Sequence, residues 1–287
     1  MNLKWPGSTN KGTALLKLLH QREQRVLVRD DYIGWYLESE SIEISQKPFA
    51  GIVDLGESPE QKFQRIAYWF TEIREKYFDD IIKAAIEDQC KQLVLLGAGY
   101  DTRYLRLQIL HDEMVRTIEV DRADMIAEKT KILSKHLQSL PRNLVFIPMD
   151  FSNCNLSALF DKGLKCDTKT VCIWQGVSYY LARDNVTSVI EFVKSQLPAM
   201  SVLGFDCCTP LMTYKNDQIP GIDFNIRRME EIGEPYVFGM EAEKMRSWLD
   251  SIGFKEVKIL TQNELAKRYQ IGMELPNNMW YVVTAKC

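Results

Sequence analysis

The sequence predicts a doubly wound α/β fold with a mainly parallel sheet, preceded by a helical N-terminal extension. Three observations carry this expectation. From residue 92 onward, short apolar runs alternate with amphipathic stretches. The runs are apolar throughout rather than at every second position, as strands covered on both faces require. The first of them ends in a glycine-rich turn, Gly97-Ala98-Gly99. The five runs are QLVLLGAG (92–99), MVRTIEVD (114–121), NLVFIPMD (143–150), KTVCIWQG (169–176) and SVLGFDCC (201–208). Amphipathic segments at 123–137, 155–164 and 182–197 lie between them and suit right-handed crossovers. Further on, residues 241–253 read as a helix closed by Gly253, a left-handed cap, and 254–261 and 279–287 read as two more strands.

Ahead of the sheet, residues 11–40 carry helical spacing, and 45–60, with two prolines and two glycines, read as loop. A second helix is expected from about 60 to 89, because Phe63, Ile66, Phe70, Ile73, Tyr77 and Ile81 step by three or four residues along one face. Residues 209–224 read as irregular. The expected organisation is one domain over 1–287, with a helical cap at 1–90, a core at 91–287 and an insertion at about 209–240.

Composition sets bounds on function. Hydrophobic residues make up 46% and charged residues 26%, the mixture of an ordinary globular protein. A net charge of -3 provides no field that would make nucleic acid or an anionic membrane the expected partner. The seven cysteines include no Cys-x-x-Cys pair, so reduced thiols are expected rather than disulfides or zinc. No apolar run approaches the length of a membrane span, and the first residues lack a signal-peptide core; a cytoplasmic location is the expectation.

The chemistry concentrates where the runs end. Gly97 and Gly99 allow a tight turn and close approach of the backbone to a ligand. Thr102 stands where a dinucleotide fingerprint would place its third glycine, which argues against a pyrophosphate on the helix that follows. Asp121 closes the second strand and is read as the partner of ribose hydroxyls, with capping of the next helix as the alternative. Asp150 and Phe151 close the third and suit hydrogen bonding and stacking on an adenine ring; turn residue and core residue are the alternatives.

LVLLGAGYDTRYLRL, TIEVDRADMIAEK, IPMDFS and IWQGVSYYL together resemble, in order and spacing, the leucine carboxyl methyltransferase family. That resemblance implies a Rossmann-like class I fold with a C-terminal antiparallel strand, and an enzyme that uses S-adenosylmethionine (SAM) and releases S-adenosylhomocysteine without a metal. It implies that Gly97, Ala98, Gly99 and Asp101 form the SAM loop, that Asp121 holds the ribose, and that Asp150 and Phe151 contact adenine. Arg74 matches a family arginine that pairs with the methionine carboxylate, a role a planar guanidinium suits. Where the family usually carries a glutamate, this chain has Gln175, which brings no charge to the cationic end of SAM.

On the acceptor side, Tyr179, Tyr180 and Gln175 are candidates, with Arg22, Tyr180 and Tyr214 for substrate binding and Arg227 and Arg228 as further cations. Leu211 and Met212 line a pocket or pack the insertion. The expected acceptor is a carboxylate, or a hydroxyl, of a small molecule or peptide C-terminus. Only His20, His111 and His136 could serve as imidazole bases, and this scarcity favours a carboxylate, which needs none. The competing readings are an NAD(P)-dependent oxidoreductase and a SAM-binding module without turnover.

Overall fold

A computed structural model describes residues 8–22, 26–37, 58–152, 155–272, 274–276 and 278–287. The N-terminal part comprises α1 (Thr9–His20), a 3-10 turn (Ile33–Leu37) and the long α2 (Pro59–Glu87). The core runs β1 (Gln92–Leu96), α3 (Arg103–Arg106), β2 (Arg116–Asp121), α4 (Ala123–His136), β3 (Leu144–Pro148), α5 (Ala158–Asp161), β4 (Thr170–Trp174), α6 (Arg183–Gln196) and β5 (Val202–Cys208). After it come α7 (Ile222–Glu231), α8 (Ala242–Ile252), β6 (Lys255–Thr261), α9 (Gln262–Arg268) and β7 (Trp280–Lys286).

The seven strands lie in the order β3-β2-β1-β4-β5-β7-β6. The first five are parallel, while β7 runs antiparallel to both β5 and β6. From β1 the chain winds outward to β2 and β3, then returns to β4 on the other side. The carboxyl ends of β1 and β4 therefore open into the crevice where such sheets bind ligands. Each predicted strand is present, and so is the doubly wound class I architecture with its antiparallel β7.

Side-chain alternation assigns the two faces. Leu93, Leu95, Val171 and Ile173 pack with Ile73, Tyr77, Phe78 and Ile82 of α2. Val94, Leu96, Cys172 and Trp174 pack with Val186, Ile190 and Val193 of α6 and Leu249 of α8. Helix α2 begins with a capping box: Ser58 Oγ accepts from the Gln61 amide and the Gln61 side chain accepts from the Ser58 amide, with Pro59 at the first helical position. The expected loop at 45–60 lies mostly outside the described residues. Six cysteines are described and all are unpaired. No helix among the described residues is long and apolar enough to cross a membrane.

Three elements differ from expectation. The helical stretch expected to reach residue 40 ends, among the described residues, in the single 3-10 turn at Ile33–Leu37. The segment at 209–224, read as irregular, runs into α7, which begins at Ile222. Pro220-Gly221 reads as a loop signal, yet Gly221 adopts φ 78° as the N-cap of α7, after which Ile222, Asn225 and Met229 bury one face. Helix α9 was also unanticipated, although Thr261 and Glu264 spell the Thr-x-x-Glu capping box that they form.

Gly221 seats the start of α7 against the start of α2. A Cβ there would lie 2.3 Å from the Pro59 carbonyl oxygen, a backbone atom that cannot rotate away. Gly221→Ala is expected to lower stability by about 1–3 kcal/mol, from left-handed strain together with that clash. Urea unfolding monitored by tryptophan fluorescence measures it, and an unchanged midpoint would contradict this account of the junction.

Candidate active site

The loop after β1 is held by backbone bonds before any side chain acts. Gly97 and Ala98 amides donate to the Val120 carbonyl of β2 at 2.7 and 3.1 Å. Gly97 adopts φ 68°, and a Cβ there would meet Val177 at 2.3 Å, so loop and β4 terminus approach too closely for any side chain. Asp121 Oδ2 accepts from the Gly99 amide at 2.7 Å and Oδ1 from the Arg122 amide at 2.7 Å. Burial raises its carboxyl, with those two amides opposing. Thr102 donates to Asp30 at 2.6 Å, which fastens the loop to the N-terminal cap and explains why no third glycine is needed.

A cavity of about 350 Å³ opens above this loop. Its lining includes Gly97, Ala98, Gly99, Asp101, Asp121, Asp150, Phe151, Gln175 and, from α2, Arg74. The predicted cofactor residues are thus brought together at one sheet edge. Asp150 is exposed and accepts from the Ser152 amide at 2.9 Å, and Phe151 is both core and lining. Tyr179 and Tyr180 line the same cavity at its other end.

Helix α2 contributes more than Arg74. Arg74 forms an ion pair with Asp206 of β5 and donates to the Tyr179 hydroxyl at 3.0 Å, while its Nε is buried without an acceptor. Asp206, fully buried, also accepts from the Gly176 amide at 2.6 Å. Glu75 receives Lys17 at 3.0 Å, Arg103 at 3.1 Å and Arg106 at 2.5 Å. Burial alone would raise its carboxyl, but Arg103, Lys17 and Arg106 outweigh that and hold it well below the usual range. Gln175 is locked into the same network, accepting from Arg103 at 2.6 Å and donating to Glu75 at 2.8 Å. The carboxylate that position 175 lacks therefore stands beside it, on Glu75, which also lines the cavity.

Asp206 and Glu75 were not among the sequence-predicted residues. A single acid inside the apolar run SVLGFDCC was the available signal for Asp206, since an unpaired charge in a central strand is untenable. Of the candidate substrate residues, Tyr180 lines both cavities, whereas Arg22 and Tyr214 line neither. Tyr214 follows a short 3-10 turn and is 50% exposed. Leu211 and Met212 pack on the core, and Arg227 is exposed. A smaller cavity of about 100 Å³ adjoins the first and is lined in part by Tyr180 and Arg228.

These features coincide with what the sequence is similar to. The family model for leucine carboxyl methyltransferase matches residues 11–194. The chain belongs to that family. It is a SAM-dependent methyltransferase, and the α/β architecture with a glycine loop at the crevice is in keeping with that. A Bacillus subtilis relative, YktD, provisionally described as a SAM-dependent methyltransferase, is 26% identical over 272 residues, 88% of each chain. A Mycolicibacterium paratuberculosis protein with the same provisional description is 23% identical over 281 residues, covering 95% of this chain and 86% of the relative. Among solved structures, a Nostoc punctiforme protein provisionally described as an O-methyltransferase aligns with a TM-score of 0.49 at 11% identity, covering 96% of this chain and 72% of its own.

Beneath the loop, Glu119 and Lys129 pair at 2.5 Å, and Lys129 also donates to the Asp101 carbonyl at 2.7 Å. Burial pushes the Glu119 carboxyl up to about 7, with Lys129 opposing. The folded state therefore holds this proton more tightly than the unfolded chain. Stability from Glu119 is full below about pH 4.5 and is lost as pH rises through about 7. In Glu119→Gln, urea midpoints between pH 5 and 8 should fall less with pH than in the parent, by up to about 3 kcal/mol. Equal slopes in the two proteins would refute the assignment.

Proposed function

We propose that the enzyme methylates an oxygen of a carboxylate, on a small molecule or a peptide C-terminus. One observation carries this reading: the acceptor-facing surfaces present no imidazole base. All three histidines are engaged elsewhere, His20 with Glu72 and the Tyr68 carbonyl, His111 with the Tyr104 carbonyl at 2.7 Å, and His136 stacked on Trp35 at 4.3 Å. The tyrosines at the same end are poor bases, because burial drives Tyr179 and Tyr180 well above the ordinary phenol value and Tyr236 up to about 12. A carboxylate is ionised at neutral pH and asks for no proton acceptor, whereas a phenol or alcohol does.

The residues present fit SAM. Gly97, Ala98 and Gly99 line the cavity through a loop that approaches it closely, and the unsatisfied Nε of Arg74 suits the carboxylate of an amino-acid tail. In this reading Arg74 holds that carboxylate, oriented by Asp206 and Tyr179. Glu75, with Gln175 beside it, lies toward the ammonium group. Asp121 serves the ribose, while Asp150 and Phe151 serve adenine. Bound SAM supplies an electrophilic methyl group. The protein aligns the acceptor oxygen with it and excludes water, and needs no nucleophile of its own.

Two measurements test the proposal. With methyl-labelled SAM and matched acids and alcohols, label should enter the acids and return as methanol on alkaline treatment. kcat/KM should stay flat between about pH 6 and 9, because no acceptor-facing base is required to titrate in that range. Label held in alkali-stable ethers, or a unit slope rising with pH, would show that a hydroxyl is the acceptor.

The cofactor roles separate by ligand. Arg74→Met should weaken S-adenosylhomocysteine binding about 10- to 100-fold, as expected for a lost charged hydrogen bond, and leave methylthioadenosine, which lacks the amino-acid group, nearly unaffected. Asp121→Ala should weaken both. Calorimetric titration reads the difference, and equal losses of both ligands in Arg74→Met would remove arginine from its assigned place.

A further inference from the structure

The smaller cavity shares Thr9, Thr13, Arg74, Tyr179 and Tyr180 with the larger. A molecule filling it reaches the same side chains as one filling its neighbour. Two aromatic groups form much of its wall. Phe70 stacks on Trp280 at 5.3 Å with Phe63 edge-on to Trp280 at 5.7 Å, and Tyr180 and Tyr236 meet at 5.2 Å. Such surfaces favour a flat or branched apolar body.

The polar groups in this wall are biased toward one charge. Among the described residues that line it are two arginines, Arg74, which Asp206 neutralises, and Arg228, and no aspartate, glutamate or histidine. Burial lowers the Arg228 guanidinium to about 10, against weaker support from Tyr236 and Tyr180. One further donor, Trp280 Nε1, is buried without an acceptor in a residue only 4% exposed. An unsatisfied buried donor costs about 1–3 kcal/mol, so this one, together with the Arg228 cation, favours an oxygen-bearing anion.

We propose that this chamber is the acceptor site and selects a small monocarboxylic acid bearing one aromatic ring or a branched apolar group of similar size. The inference rests on the carboxylate reading above and deepens it. Size supports it: a dry apolar cavity of about 150 Å³ accepts benzene, so a chamber of about 100 Å³ joined to a wider neighbour accommodates one ring and not a fused pair. The carboxylate lies near the junction, by Tyr180 and Arg228, and the ring among Phe63, Phe70 and Trp280. One carboxylate oxygen bonds to the methyl carbon as the methyl–sulfur bond breaks, and that bond's electron pair goes to sulfur. An anion and a sulfonium thereby become a neutral ester and a neutral thioether, with no proton moved. The ester no longer carries the charge that Arg228 favours, so product is held more weakly than substrate.

The test uses the full chain saturated with S-adenosylhomocysteine, titrated calorimetrically with phenylacetate, followed by turnover with SAM on phenylacetate, phenol, benzyl alcohol and a peptide ending in leucine. Phenylacetate should bind and be esterified. Arg228→Gln, and Phe224→Trp at another residue of the chamber wall, should each raise its Kd about tenfold, equivalent to about 1.4 kcal/mol. S-adenosylhomocysteine affinity, unchanged within about twofold, reports that the variants are folded. Absence of phenylacetate binding together with esterification of the peptide would overturn the chamber assignment and leave the carboxylate reading standing. Methyl ethers from phenol or benzyl alcohol, with no ester, would instead overturn the carboxylate reading.

Discussion

Arg103 and Arg106 are almost wholly shielded from water, and every other part of the crevice is arranged around the carboxylates that neutralise them. Arg103 reaches Asp79, Asp101 and Glu75, and Arg106 reaches Asp79 and Glu75, from opposite turns of a four-residue helix. Asp79 and Glu75 belong to α2, whereas Asp101 belongs to the loop after β1. Helix and loop are thus clamped together by charge at the sheet's carboxyl edge. Removing one partner would strand buried charge at a cost of about 3–5 kcal/mol, far above that of a surface ion pair. The cluster gives the site its rigidity, and it confines α2 to the angle at which Arg74 faces the cavity.

That confinement divides labour between adjacent side chains on one helix. Arg74 faces β5, where Asp206 holds it, and Glu75 faces the clamp and Gln175. A neutral amide at 175 is compatible with a charged ligand because the negative charge is supplied from α2. The same spacing places Glu72, one turn earlier, against His20 and the Leu27 and Val28 amides. The N-terminal cap is consequently stitched to α2 at several points.

The sheet was legible because its signal is local. Continuous apolar runs ending in Gly97, Asp121 and Asp150 announce parallel strands and their carboxyl ends without any knowledge of contacts. Gly97, Asp121 and Asp150, which line the cavity, were legible as candidates for the same reason, since each sits at a strand terminus, whereas Arg74 on α2 was named only through the family resemblance. Asp206 was visible as an acid in an apolar strand, but its partner lies 132 residues away, and no periodicity links it to Arg74. Helix α7 was hidden because proline and glycine mark a loop and a helix start equally well. Tyr214 was misplaced because an aromatic beside apolar residues reads as pocket lining even where a short turn carries it to the surface.

Thr102 and Asp30 join the nucleotide loop to a segment more than seventy positions earlier, at 2.6 Å, and Asp30 also caps the Ile33–Leu37 turn through the Ile33 amide at 3.0 Å. Consider a chimera in which this N-terminal segment is replaced by that of a relative. In this molecule the exchange would take the loop's fastener with it. A graft that changes the aspartate without changing its threonine mate would disturb cofactor handling along with selectivity, so the two halves are inherited as a matched set.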